Sequence, residues 1–349
     1  MFGKKKKILG LDIGTRAVKG VVLGQKDGQV TLDNYFYFDL KQPQGGPVSP
    51  EAVGRVVADL VEGAGLRKTR VASCIEDREI QVVSLTMPIL SEEELRVAVT
   101  NELEAQLGID SKELAIDFVV VPPRNERSPD LEVHAFYAKL ATIRTHTDLL
   151  EAAQLEPVSV ECAMLAALET ARFNEDIGAE ETVLLVDSGE THTSVGLVSC
   201  GELLQLSTIR VGAGEINNQL MQQLGCTFEN AELRKLSYRM EGDEAQEGTE
   251  ARTIEQGYYE IIAGIHDTAT YLRASRKAQK IEKVVVAGGG LLKEGAVALI
   301  EQSLGMPVTL ANPLRKIEIF GGKEGDRDQL PRIGPMLHVA VGLALKGVA

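Results

Sequence analysis

ILGLDIGTRAVKGVVL (residues 8–23) and VLLVDSGETHTSVGLV (residues 183–198) repeat one local design about half the chain apart. In each, a short apolar run ends in Asp-x-Gly, hydroxyl-bearing or basic residues follow, and a second apolar run begins. The second turn is one residue longer. A buried strand that ends on a carboxylate and turns at a glycine makes a tight hairpin whose backbone N–H groups and hydroxyls converge on one point. The glycine is expected there because it tolerates a positive φ. Alone, Asp-x-Gly is an ordinary turn. Two copies in matching strand contexts, facing each other with one carboxylate apiece, suit a polyphosphate and its Mg²⁺, an ion that takes oxygen ligands and keeps most of its waters.

A third string, KVVVAGGGLLKEGAVALIEQSLG (residues 283–305), is a β-branched strand that runs through Gly288, Gly289 and Gly290 toward a helix. It lacks the G-x-G-x-x-G spacing of a dinucleotide fingerprint and does not open the fold. VGAGEINNQL (residues 211–220) also departs from that spacing and reads as a glycine turn into a helix.

Together and in this order, the three strings resemble the phosphate-1, phosphate-2 and adenosine motifs of the actin, sugar-kinase and heat-shock-chaperone ATPase superfamily. Within it the chain is similar to the PilM family, the actin-like proteins of type IV pilus assembly, in the branch that includes the cell-division protein FtsA. The narrower likeness is carried by LDIGTRAVKGVVL, LTMPILSEEELRVAVTNELEAQL (residues 85–107), VLLVDSGETHTSVGLV, VVVAGGGLL, NPLRKI (312–317) and IGPMLHVAVGLALKG (333–347). The chain departs from the family pattern at Gly108-Ile109-Asp110, where many relatives have a proline turn, and at Ser188 and His192 in the second phosphate turn.

The resemblance implies an α/β, actin-like ATPase fold: two ribonuclease-H-like domains with an α-β-β-α insert in the first. It implies ATP and Mg²⁺ as ligands. Asp12 and Asp187 would flank the metal, and Gly14, Thr15, Gly189, Thr191 and Thr193 would offer N–H and hydroxyl donors, with Arg16 and Glu190 in the same turns. Lys19 would reach a phosphate as a point charge. Gly212 and Gly214 would open the turn beside the nucleotide, and Gly288, Gly289 and Gly290 would let the backbone approach adenine or ribose. Fast hydrolysis also needs a group to orient the attacking water. Glu215 is the one candidate, and a glutamate that stabilises a helix N-terminus is the alternative. Turnover is therefore expected to be slow or absent.

Composition fits this reading without producing it. The chain has 349 residues, 44% hydrophobic and 25% charged, enough for two core-bearing domains. A net charge of −14 argues against nucleic-acid binding, which needs a basic surface. Cys74, Cys162, Cys200 and Cys226 show no zinc-ligand spacing and read as reduced thiols. No apolar run approaches the roughly 20 residues of a membrane span, and no signal peptide opens the sequence, so a cytoplasmic location is expected. Lys4 to Lys7 form a basic cluster, read as a solvated end or as a weak attraction to an anionic inner leaflet.

Period and punctuation give an organisation of residues 1–85 as a first ribonuclease-H-like subdomain, 86–177 as the insert, 178–335 as a second ribonuclease-H-like domain with a helical insert near 222–262, and 336–349 as a helix that packs back on the core. Within the insert, Ser91 and Glu94 form a capping box. Leu95, Val99, Leu103 and Leu107 then recur on one helix face, two strands follow, and a second helix spans 145–155. PQGGPVSP (43–50) and the acidic EGDEAQEGTEAR (241–252) read as loops.

Three functions compete. A small-molecule kinase needs a carboxylate base that nothing here singles out. An FtsA-like filament protein ends in a linker and a membrane helix, whereas this sequence ends on GLALKGVA. The reading the resemblance favours is an ATP-binding adaptor of the pilus inner-membrane platform, peripheral to the membrane. It would dock the N-terminal cytoplasmic peptide of a PilN-type protein between insert and first domain, with other pilus motor components as further partners. A soluble L-type component of a type II secretion system is the related alternative.

Overall fold

The computed structural model describes residues 7–40, 48–121, 130–174, 176–238, 248–275, 280–293, 295–319 and 330–348. The expected features at Lys4 to Lys6, 43–47 and 241–247 lie outside these residues. Lys7 is paired with Asp33.

The two Asp-x-Gly strings each form a hairpin at the centre of a sheet. β1 (Ile8–Ile13) pairs antiparallel with β2 (Ala17–Lys26), which pairs antiparallel with β3 (Gln29–Asp39). After helix α1 (Pro50–Gly63), β4 (Arg70–Ile75) returns parallel to β1. The insert follows, made of β5 (Gln81–Pro88), α2 (Glu92–Leu107), β6 (Leu114–Val121) and β7 (Asp130–Lys139). Helix α3 (Leu140–Ala152) then leads to β8 (Glu156–Cys162), parallel to β4, and to α4 (Ala163–Phe173).

The second half repeats the plan with β9 (Thr182–Ser188), β10 (Thr193–Ser199) and β11 (Glu202–Ile209), helices α5 (Gly214–Leu224), α6 (Phe228–Ser237) and α7 (Thr249–Ser275), strand β12 (Lys283–Ala287), helix α8 (Ala296–Leu304) and β13 (Val308–Leu310). A two-residue β14 (Glu318–Ile319) joins the outer edge of β3. The sheet orders β3-β2-β1-β4-β8 and β11-β10-β9-β12-β13 are the same connectivity twice, and only the first copy carries the insert. β1 and β9 are central strands covered on both faces, which is why their sequences are continuous apolar runs and do not alternate.

The insert differs from its expected α-β-β-α form. β5 straddles the expected boundary between 1–85 and 86–177, and it pairs with β7 in a separate antiparallel sheet, order β5-β7-β6. Leu85 and Met87 on β5 face Leu95, Val99 and Leu103 of α2 and close a small core with Val133 and Ala135. The capping box forms, with Ser91 N–H donating to Glu94 Oε2 at 2.9 Å, and Gly108 ends α2 in the left-handed region at φ 65°. At the other boundary, α3 starts at Leu140 and its Leu150 packs with Val57 and Val61 of α1, while β8 extends the first sheet. Both therefore belong to the first half's own sheet and core, and the insert proper is β5-α2-β6-β7.

Helix α9 (His338–Leu345) is buried along its whole length between β1 and α4. Two glycines permit this approach. A Cβ on Gly10 would lie 2.1 Å from the Ala340 carbonyl oxygen, and one on Gly342 would lie 1.8 Å from that of Ala166.

Candidate nucleotide-binding cleft

The two hairpin turns face each other across a cleft of about 600 Å³ between the halves. Each turn closes by the same bond: Gly14 N–H donates to Ala17 C=O at 3.0 Å, and Gly189 N–H to His192 C=O at 2.9 Å. Neither glycine adopts the expected positive φ. A Cβ on Gly14 would be tight only against Ala17 O, at 3.3 Å, with ordinary contacts to Lys19 Nζ at 3.7 Å and Asp12 Oδ1 at 4.0 Å.

Strand register decides the charges. Asp12 lies opposite Lys19 in the β1–β2 ladder, and their ion pair is 2.7 Å long. Burial works against the Lys19 ammonium, but Asp12 beside it and Asp187 across the cleft more than offset this and raise its pKa. In the second copy the partner opposite Asp187 is Ser194, which brings no charge. The cation comes instead from α9, where His338 Nε2 sits 3.2 Å from Asp187 Oδ2 and Nδ1 donates to Pro335 C=O at 3.0 Å. The Nε2 contact lacks the alignment of a hydrogen bond, so it acts as charge against charge. Burial disfavours both ions, yet their mutual attraction holds His338 above and Asp187 below the usual pKa.

Asp12, Gly14, Thr15, Arg16, Lys19, Asp187, Gly189, Glu190, Gly288, Gly289 and Gly290 all line this cleft, as does His192. The rest of the expected set does not, and each case has a local reason. Thr191 Oγ1 lies 3.3 Å from Thr15 Oγ1 and joins the two turns directly. Buried Thr193 donates to Val211 C=O at 3.0 Å. Gly212 and Gly214 let the start of α5 close on the second turn, where a Cβ would fall 2.5 Å from Glu190 O and 2.6 Å from Glu190 Oε1 respectively. Glu215 is exposed on the first turn of α5, its carboxylate near Asn218 and Gln219, which is the helix-terminal alternative. Gly288, at φ 87°, and Gly290 bring their loop onto the second phosphate turn: a Cβ on Gly288 would meet Ser188 O at 2.3 Å and Asp187 Oδ1 at 2.4 Å.

Several lining residues had no signal in the linear pattern. Lys235 and Glu232, three apart on α6, form a 2.8 Å ion pair, and Asn217 donates to Glu232 at 2.6 Å. The i,i+3 spacing was readable, but not its position at the cleft. Burial opposes the Glu232 carboxylate, yet Lys235 lowers its pKa, whereas burial raises that of Glu190. Asp77, after β4, is buried against the N-terminus of α4. Its Oδ1 accepts from Met164 N–H at 3.0 Å and from Cys162 Sγ at 3.2 Å, and burial keeps its pKa raised against those bonds.

A family model described as "Type IV pilus assembly protein PilM" matches residues 10–348. The chain belongs to the PilM family. Among solved structures it is similar to a chain of a PilM–PilN type IV pilus biogenesis complex, at TM-score 0.82 and 22% identity over 99% of each chain. It also resembles the ethanolamine utilization protein EutJ from Carboxydothermus hydrogenoformans, at TM-score 0.53 and 16% identity over 97% of this chain and 88% of that one. MreB5 of Spiroplasma citri bound to ADP matches at TM-score 0.53 and 12% identity over 98% and 96%. At these identities the likeness is one of fold, and for this PilM-family chain the fold is that of the actin-like ATPases. No helix among the described residues is long and apolar enough to cross a membrane.

Proposed function

We propose that the cleft binds Mg·ATP, and that the protein is a cytoplasmic adaptor that docks the N-terminal peptide of a PilN-type inner-membrane protein. The observation that carries the nucleotide reading is the pair of opposed Asp turns with the Lys19 ammonium between them, backed by a glycine loop packed on the second turn. The described residues contain no group of three or more His, Cys, Asp and Glu side chains able to hold a metal, so Asp12 and Asp187 suit an ion that arrives with the phosphates and keeps its waters. Bound Mg²⁺ would neutralise phosphate charge. Lys19 would face the phosphates, and the Glu232 carboxylate, fixed by Lys235 and Asn217, is an acceptor for ribose hydroxyls. MreB5 with ADP supports a nucleotide in this fold. A fluorescent ATP analogue titrated with Mg²⁺ is expected to bind, and unchanged affinity in both Asp12→Ala and Asp187→Ala proteins would sink the assignment.

With Glu215 exposed and outside the cleft lining, slow turnover is still expected. Steady-state phosphate release well above about one per second without a partner would revive the kinase class.

For the partner, the PilM–PilN complex among the similar structures supports a PilN-type protein. β6 and β8 are edge strands of the insert sheet and of the six-stranded sheet, and they carry the exposed Val119, Val120 and Val158. Unpaired strand edges beside apolar side chains suit an extended peptide. A synthetic peptide of the partner's cytoplasmic tail is expected to bind, with exchange protection over the insert and its junction. Protection confined to the second half would remove this mechanism.

A further inference from the structure

Arg16 does not project toward the phosphate turns' common centre as a free cation. It belongs to the first half, where its C=O accepts from Leu40 N–H at 2.8 Å and its Nε lies 3.5 Å from Asp39 Oδ1. The same Asp39 oxygen accepts from Tyr37 O–H at 3.0 Å, so the guanidinium is presented from a fixed strand pair. Its plane reaches across the cleft mouth to the second half, with Cζ 4.7 Å from the ring centroid of Phe228, the first residue of α6. Two second-half carboxylates of the lining, Glu190 and Glu232, feel the Arg16 charge. Beside it, Thr15 and Thr191 touch at 3.3 Å. A cation stacked on an aromatic face, with carboxylates around it, is a contact that costs free energy to part.

We propose that Arg16 on Phe228 is a closure latch: it holds the two halves together over the phosphate turns and sets how long a nucleotide stays in the cleft. The second part rests on the cleft being a nucleotide site, whereas the closure itself does not. Lys19 remains for the phosphates, and Arg16 is occupied elsewhere. Release then requires the halves to part at Phe228, so the contact governs the off-rate more than the encounter.

The test uses Phe228→Leu, which keeps apolar bulk but removes the ring face, and Arg16→Gln, which removes the cation, with Arg16→Lys as a folded, charge-keeping check. In stopped-flow displacement of a fluorescent ATP analogue, both Phe228→Leu and Arg16→Gln are expected to release roughly 2- to 30-fold faster than wild type. The double variant is expected to be no faster than the faster single one, because one contact is lost either way. In nucleotide-free protein, hydrogen exchange over residues 13–17, 189–193 and 228–230 is expected to quicken in both variants. Faster release in Arg16→Gln with wild-type release in Phe228→Leu would make Arg16 a plain phosphate ligand and overturn the latch. Should the wild type bind no nucleotide, the binding reading falls on its own, and unchanged exchange protection in both variants would then overturn the closure.

Discussion

Replacing Gly288 by alanine is expected to damage the protein far more than the same change one residue later. At Gly288 the backbone sits at φ 87°, where an L side chain costs about 1–2 kcal/mol. The new Cβ would also lie 2.3 Å from Ser188 O and 2.4 Å from Asp187 Oδ1, so backbone and the Asp187 carboxylate must both move. Overpacking of this kind costs about 1–3 kcal/mol, and the two penalties together make about 2–5 kcal/mol. At Gly289 the φ is not positive and the nearest atoms are the flexible Met336 side chain, from 3.6 Å outward, so Gly289→Ala is expected to stay within about 0.5 kcal/mol of wild type. Urea unfolding followed by circular dichroism measures the pair. Because Asp187 is displaced, Gly288→Ala is also expected to lose affinity for the ATP analogue while Gly289→Ala keeps it. Equal midpoints for the two variants, or a worse Gly289→Ala, would refute the reasoning.

Lys19→Met leaves Asp12 and Asp187 without the ammonium between them, and triphosphate affinity is expected to fall about 10- to 100-fold with adenosine binding unchanged, as calorimetry can measure. Leu103→Ala opens the insert core at a fully buried site and is expected to cost about 2–5 kcal/mol without altering nucleotide affinity, because that core does not line the cleft. His146 accepts no charge readily: burial lowers its pKa from 6.5, and its Nε2 donates at 2.9 Å to Ser73 Oγ, whose own proton goes to Leu11 C=O. The unfolded chain therefore takes up the proton first, so this stability is complete above about pH 6.5 and is lost as pH falls below it. His146→Gln is expected to flatten that acid-side slope in urea midpoints, and identical slopes in variant and wild type would contradict it.

What was legible in the sequence was local. The Asp-x-Gly turns, the capping box at Ser91 and Glu94, and the leucine stripe of α2 all express contacts within a few residues, so their periods survive in the linear string. The insert boundary did not, because the alternation of β5 is the same whether Leu85 and Met87 face α2 or the central sheet. Nor did the Asp187–His338 pair or the Lys235–Glu232 pair at the cleft, which arise from helices brought back over long separations. The glycines were legible only in part: Gly14 lacks the positive φ its motif suggests, and the packing of Gly288 on Ser188 and Asp187 of the other turn is a long-range contact that the linear string does not carry.

The burial of α9 against β1 has a consequence in time. A ribosome adding about 5–20 residues per second spends roughly 15–60 s between the first Asp hairpin and the helix that covers it. Throughout that interval the Gly10 side of β1 and the neighbouring Val21 and Leu23 of β2, both fully buried in the finished protein, lack Ala340, Val341 and Ala344, which pack on them. The first half is thus completed by residues made long after it, and the nascent chain carries an uncovered apolar sheet face until they appear. Pausing or truncation before residue 338 would leave the sheet face beside Asp12 as an aggregation-prone surface, so the first phosphate turn matures only once that distant helix has been made.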